Sequence, residues 1–326
     1  MELLLLEWLG KPVWMWAGFL TVVIALLALD LGLFNRRDHE IGVRESLALS
    51  AFYIAVALVF GAWLWSSQGA DSAVEYLTAY AVEKSLAMDN VFVIALIFSA
   101  FSVPRLYQHR VLFWGVLGVI VLRAIMIGGG AVLVARYHWV LYLFAGFLIL
   151  TGVKMFFARG EETDIADNAL LKWFRRRMRV TNDLHGHAFF VRTQSRRSGE
   201  VKLHATPLFL ALVTIEIADV IFAVDSVPAV FAITTDAYVV YTSNIFAILG
   251  LRALYFALAA VIHRFAYLKQ ALAVLLVFIG GKVFAAPLLG IEKVPPAVSL
   301  SVTAAILATG VVWSLWRTRA EAGPPR

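Results

Sequence analysis

Two short stretches place ionisable residues inside otherwise apolar sequence. The first is EKSLAMDN, residues 83–90, followed at once by VFVIALIFSAF. The second is TIEIADVIFAVDS, residues 214–226, which holds Glu216, Asp219 and Asp225 within ten residues. A carboxylate at a bilayer centre costs about 2.5–3.5 kcal/mol on insertion scales. Such acids must be compensated by protonation, by basic partners or by a bound cation. Glu83, Asp89, Glu216, Asp219 and Asp225, with the oxygens of Asn90 and Ser226, make a hard donor set suited to Mn²⁺, Mg²⁺ or Ca²⁺. The chain has no cysteine, and neither stretch has a histidine, so zinc and copper fit poorly. Met88 offers a softer donor that would favour Mn²⁺, although packing is the plainer role for a methionine there.

Helical geometry orders these groups. Glu216 and Asp219 share a face, and Ser226 falls on the same stripe seven residues beyond Asp219. Asp225 points roughly 120° away in an unbroken helix. Pro228 is expected to loosen the backbone around 224–228 and turn Asp225 inward. Glu83 and Asn90 also share a stripe, with Asp89 beside Asn90. Plain placement at the outer membrane interface is a second account of Glu83 and Lys84. Arg123 and Arg252 lie mid-span, either as supporting counter-ions that lock the bundle or as gating groups. Lys154 and Lys282 sit near span ends, where they snorkel, and Asp30 reads as an acid at the membrane boundary. Gly128-Gly129-Gly130 is no phosphate loop, since no strand precedes it and no Lys-Ser/Thr follows. Close helix packing or local flexibility accounts for it better.

The elements that carry these residues are membrane spans. The chain has 326 residues, 61% hydrophobic and only 15% charged, against about a quarter charged in soluble domains. The apolar residues form nine runs near the crossing length of a helix: 13–34, 47–65, 76–101, 111–134, 139–157, 207–232, 241–261, 268–288 and 296–316. The acidic start MELLLLEWLG does not resemble a cleaved signal. Basic residues crowd alternate loops: NRRDHEIGVRE, SVPRLYQHR, the 158–206 segment with KWFRRRMR, HRFAYLK and the tail RTRAEAGPPR. The other loops carry only Arg136 and Lys293. This alternation predicts an outside N-terminus and a cytoplasmic C-terminus. It also explains the net charge of +6 as a topology signal rather than a nucleic-acid surface. NALLKWFRRRMRV could form a basic helix lying on the membrane surface. His185 and His187 lack a third ligand and read as a solvated loop pair.

A repeat is visible in the middle. DNVFVIAL from Asp89 parallels DVIFAVDS from Asp219, Leu122-Arg123-Ala124 parallels Leu251-Arg252-Ala253, and Gly152-Val153-Lys154 parallels Gly280-Gly281-Lys282. Asp89 precedes Arg123 and Lys154 by 34 and 65 residues; Asp219 precedes Arg252 and Lys282 by 33 and 63. Three spans per unit, an odd number, put the two copies in opposite orientation. The expected fold is therefore all-α: a polytopic membrane protein of about nine transmembrane helices with an inverted three-plus-three helix repeat. Its parts are two N-terminal helices (1–75), the first repeat (76–157), a cytoplasmic basic loop (158–206), the second, inverted repeat (207–288), and a final helix with a cytoplasmic tail (289–326).

EKSLAMDNVFV, FSVPRLYQHRVLFWGVLGVIVLRAIMI, FLILTGVKM, ATPLFLALVTIEIADVIFAVDSVPAVFAITTD and TSNIFAILGLRALYF resemble the TerC family of integral membrane proteins, in its Alx-like branch, and cover nearly the whole chain. The resemblance implies a cytoplasmic-membrane (inner-membrane) metal ion exporter of the LysE-type superfamily, with Mn²⁺ the usual substrate. It implies acidic-motif residues at Glu83, Asp89, Asn90, Glu216, Asp219 and Asp225. Met88 stands where that family commonly has a small aliphatic residue. The family name comes from tellurium resistance, and some members are linked to metal loading of secreted proteins. The expected activity is alternating-access export of a divalent cation, with no cofactor and no catalytic residue. The expected partners are the metal ion and membrane lipid, with no nucleic acid. Protons are a natural coupling ion for carboxylates that shed a metal, and the oligomeric state is open. The alternative is a membrane factor that assists metallation or assembly of exported proteins without transport of its own. An intramembrane aspartyl protease would need Gly-x-Gly-Asp, whereas Ile217 and Ala218 precede Asp219. A tellurite carrier would need unpaired bases at the site, where acids outnumber them.

Overall fold

The computed structural model describes residues 7–32, 42–157, 180–181, 184–194, 201–258, 268–291 and 294–321. Where no water can bond the backbone, a chain must satisfy its own N–H and C=O groups, and the apolar runs fold accordingly as helices. These are α1 (Val13–Gly32), α2 (Val43–Gln68), α3 (Ala70–Ala100), α4 (Arg105–Arg136), α5 (Val140–Phe157), α6 (Pro207–Phe231), α7 (Ala237–Leu249), α8 (Leu251–Leu258), α9 (Leu268–Leu288) and α10 (Pro296–Glu321). Seven of them, α1, α2, α4, α5, α6, α9 and α10, are long and apolar enough to cross a membrane. The pair α7 and α8, bent by 40° at Gly250, qualifies as one further broken span. α3 is 31 residues long and carries Glu83, Lys84 and Asp89.

Helix boundaries follow local chemistry. α2 and α3 are separated by Gly69 alone, whose φ of +94° is open to glycine and strained for other residues. α3 therefore begins at Ala70 rather than near 76. The expected 241–261 span begins at Ala237, because the Asp236 carboxylate accepts from the Tyr238 and Val239 amides and caps the helix. It breaks at Gly250, and residues 259–261 lie outside the described part. α6 runs unbroken through Pro228. Pro228 stands only three residues from its end, so the lost ladder bond falls in the last turn and the expected loosening does not occur.

α7 sits at the centre. Every one of its residues except Tyr241 is buried, the pattern of a helix enclosed on all sides. Trp16 and Phe19 of α1, Phe60 of α2 and Tyr76 of α3 join Tyr238 and Phe246 of α7 in an aromatic cluster. Outward faces stay apolar, with Ile24, Val59, Ile125, Leu150 and Val312 exposed. α3 packs on α6 and α7, α4 on α6 and α7, and α5 most closely on α9.

The α5–α9 seam depends on two glycines. A Cβ on Gly152 would lie 2.7 Å from the Ala273 carbonyl oxygen and 2.8 Å from Val277. A Cβ on Gly280 would lie 2.5 Å from the Ala145 carbonyl oxygen and 2.9 Å from Ile149. Among the three glycines at 128–130, only Gly130 is tight, since a Cβ there would lie 2.7 Å from the Phe231 ring. Close packing is thus the observed role at that one position.

Two antiparallel ribbons complete the described structure. β1 (Glu7–Trp8) pairs with β2 (Lys11–Pro12), and β3 (Phe190–Gln194) pairs with β4 (Val201–Ala205). The second ribbon, absent from an all-α expectation, is held to α6 by Thr206, whose hydroxyl donates to the Ala188 carbonyl at 2.7 Å, and by Phe190 against Phe209. The KWFRRRMR stretch, for which a surface helix was expected, lies outside the described residues. His185 and His187 are both exposed.

Candidate cation site

Four helices converge on one buried guanidinium. Arg123 comes from α4 and is only 2% exposed. Its Nε donates to Asp219 Oδ2 at 3.1 Å and its Nη2 to Asp219 Oδ1 at 3.2 Å. That is a two-point fork, the strong form of an arginine–carboxylate bond. Nη1 donates to Glu83 Oε2 at 3.1 Å, to Ser226 Oγ at 2.7 Å and to Asn244 Oδ1 at 3.4 Å. Asn244 closes the ring by donating its Nδ2 to Glu83 Oε1 at 2.7 Å. Glu83 stands on α3, Asp219 and Ser226 on α6, and Asn244 on α7. Glu83, Asp219, Ser226 and Asn244 are all buried. With all three charged groups ionised, the cluster carries a formal charge of −1.

Glu216 lies one turn before Asp219 on the same face of α6, in the seam with α4. Its Oε2 is buried with no hydrogen-bond partner. The space it occupies exists because residue 118 of α4 is glycine: a Cβ there would lie 2.7 Å from Oε2 and 2.5 Å from Cδ. Asp225 faces elsewhere, accepting from the Thr151 hydroxyl of α5 at 3.3 Å. Asn90 is buried on α3. Asp89 belongs to α3, but its side chain lies outside the described residues. Met88 packs beside the cluster of Ala87 and Val91.

Of the five carboxylates expected to converge, the side chains of four are described, and two of these, Glu83 and Asp219, meet at one point. Among the described residues, no three Asp, Glu or His side chains gather as a metal site would require. Arg123 holds the point on which Glu83 and Asp219 converge. The structure accounts for the other charges too. Arg252 bonds Asp30 of α1, and both are buried, so Asp30 is an internal counter-ion rather than a boundary acid. Lys84 points inward: its Nζ donates to the Ala247 carbonyl at 3.3 Å, against Gly250 at the bend between α7 and α8. Lys282 donates to Ser299 Oγ of α10 at 3.3 Å, and Lys154 is exposed. Sequence reasoning passed over Asn244 and Gly118. An amide inside the apolar run TSNIFAILG was a signal for the first; nothing in the sequence marked the second.

Long apolar helices with lipid-suited outer faces, wrapped around a charged and hydrogen-bonded interior, define an integral multi-pass membrane protein. Residues 68–322 match the integral membrane protein TerC family, and the chain belongs to that family. It is 48% identical to an uncharacterized membrane protein, STKORF319, of Myxococcus xanthus, over 95% of this chain and 94% of that one. It is 46% identical to an uncharacterized membrane protein of Rickettsia bellii, over 93% and 97% of the two chains. It is also 46% identical to an Escherichia coli K12 protein named as a membrane-bound redox modulator, Alx, over 94% and 95%. No solved structure matches it.

Proposed function

We propose that the protein exports divalent cations, Mn²⁺ foremost, across the cytoplasmic membrane by alternating access around the cluster of Glu83 and Asp219. The observation that carries this reading is the convergence itself. Two acids from different helices, an amide and a hydroxyl face one buried point, and hard oxygen donors of this kind suit Mn²⁺ or Mg²⁺. Lipid would reject these acids unless they bind something.

The architecture supports the same reading. α3, with Glu83 paired to Arg123 and Lys84 bonded to the Ala247 carbonyl, serves as a ninth crossing beside the seven apolar helices and the bent pair. α3–α5 and α6–α9 then form two three-crossing units of opposite orientation. Ala145, Ile149 and Gly152 each stand 128 positions before Ala273, Val277 and Gly280. The Gly152 contacts are the Gly280 contacts with the two units exchanged. The packing of α3 on α7 likewise mirrors that of α4 on α6. Sites at such repeat interfaces, near the midplane, are the transporter arrangement. The basic loops put the C-terminus in the cytoplasm, where the ion would load. Glu216 adjoins the site, and in the sequence repeat Asp89 is the counterpart of Asp219. The protein acts as a carrier, without catalysis or cofactor, and protons returning to its carboxylates are the natural counter-ion.

A second reading is a membrane factor that metallates or assembles exported proteins. The name of the Escherichia coli relative, a redox modulator, favours it, and with no cysteine of its own this chain would act there through a metal or a partner. Purified protein in liposomes separates the two. The wild type should move Mn²⁺ unaided, and Glu83→Gln and Asp219→Asn should each abolish the flux while the protein stays membrane-embedded. Undiminished flux in both variants sinks the site; no flux from the wild type sinks transport.

A further inference from the structure

We propose that Arg123 is a tethered competitor for the cation: the transported ion must displace its guanidinium, and this requirement admits divalent and rejects monovalent ions. The inference rests on the transport reading above and adds a selectivity mechanism to it.

The geometry makes Arg123 a resident of the site rather than a neighbour. Its Nε, Nη1 and Nη2 are all engaged, and their acceptors are the oxygens of Glu83, Asp219, Ser226 and Asn244. An incoming ion therefore meets no free carboxylate pair. A monovalent ion that replaced the guanidinium would exchange one positive charge for another. The acids would gain nothing, while the charge-assisted bonds to the guanidinium were lost. A divalent ion leaves the two acids neutralised instead of one charge short, and that extra charge acts at close range in a weakly screening interior. The charge threshold thus follows from two acids sharing one arginine.

The displaced guanidinium also has somewhere to go. Glu216 lies about 4.5 Å along α6 from Asp219, in the same α4–α6 seam, with a buried oxygen that has no partner. That step is short against the length of an arginine side chain. Gly118 keeps the position open by offering no side chain where the Glu216 carboxyl lies. An unsatisfied buried acceptor one turn along α6 from the bonded one is what a two-position side chain needs: one position filled, the other waiting.

The test uses the full chain in lipid nanodiscs with Mn²⁺ as the probe. Bound and free ion are distinguished by the paramagnetic resonance signal of free Mn²⁺. Arg123→Gln should bind Mn²⁺ tighter by roughly tenfold or more and should become sensitive to competition by Na⁺, to which the wild type is indifferent. Glu216→Gln should weaken Mn²⁺ binding by about tenfold, and this loss should vanish in the Arg123→Gln background, where no guanidinium needs a second acceptor. Unchanged Mn²⁺ affinity and unchanged Na⁺ indifference in Arg123→Gln would overturn the proposal, as would a Glu216→Gln loss that persists in the double variant. If Arg123→Gln does not fold, Glu216→Gln alone decides, and unchanged affinity there is the overturning result. Glu83→Gln and Asp219→Asn act as the separate control: Mn²⁺ binding intact in both would remove the transport site itself, whereas binding lost in both while Arg123→Gln is unaltered removes only the competitor.

Discussion

Gly118→Ala should stabilise the protein and slow it, two effects that a purely structural glycine would not couple. A Cβ at 118 would sit 2.7 Å from Glu216 Oε2 and 2.5 Å from its Cδ, with Oε1 also in contact. The three nearest atoms all belong to the end of the flexible Glu216 side chain, so the carboxyl should move and the helices stay. The carboxyl leaves a place where Oε2 is buried without a partner, a situation that costs about 1–3 kcal/mol. Alanine in place of glycine in a helix interior contributes about 1 kcal/mol more. A strained Glu216 rotamer would return about 0.5–1.5 kcal/mol. The balance favours the folded state by about 0.5–3.5 kcal/mol, a rise in thermal midpoint of about 1 °C or more. Mn²⁺ flux should meanwhile fall by about tenfold, equivalent to about 1.4 kcal/mol, because the waiting acceptor has been moved. Both quantities can be read on one preparation, from intrinsic tryptophan fluorescence on heating and from Mn²⁺ uptake into liposomes. A midpoint that drops, or a flux that does not change, refutes the reasoning: the first says the seam cannot adapt, the second that the position of Glu216 does not matter.

Asp30→Asn should cost about 3–5 kcal/mol, because it leaves the buried Arg252 without its carboxylate; the thermal midpoint checks this, and replacing both residues by apolar ones should recover most of the loss. Gly152→Ala and Gly280→Ala should each destabilise the α5–α9 seam by about 1–3 kcal/mol, since each added methyl meets a carbonyl oxygen of the facing helix. The two losses should match within about 0.5 kcal/mol if the repeat is real at this seam, and denaturation in mild detergent measures both.

Much of this was legible in the sequence because membrane folds announce themselves coarsely. Apolar run length located the helices, and intramembrane acids marked Glu83 and Asp219. What could not be read was where each charge finds its partner. Asp30 looks like a boundary acid because it ends an apolar run beside LGLFNRR, yet its carboxylate closes on Arg252, 222 residues away. Asp225 and Asp219 look alike in sequence but face different helices, and Pro228 does not bring them together, because so late in α6 it disturbs little. Asn244 required knowing that α7 is central, which its apolar composition suggests only once the neighbours are placed. Gly118 is invisible by nature, since its contribution is the absence of a side chain.

The two arginines match in the proposed repeat and differ in their chemistry. Arg123 and Arg252 occupy matching places, each one residue after a leucine and one before an alanine. Arg123 of α4 reaches across to Asp219 of α6. Arg252 is held by Asp30 of α1, a helix that the proposed repeat does not include. Symmetric halves would make inward-facing and outward-facing states equal in energy and leave direction entirely to the gradients. Under the proposed alternating access, a bond that ties one arginine to α1 would give the two states different counter-ions, and so different energies. The cost of moving Arg123 off Glu83 and Asp219 would then fall on the ion, whose second charge would meet it. Buried acids that lipid would exclude are retained in a form that is neutralised enough to fold and short of one charge, and in the proposed exchange it is that shortfall that would give a divalent cation its advantage.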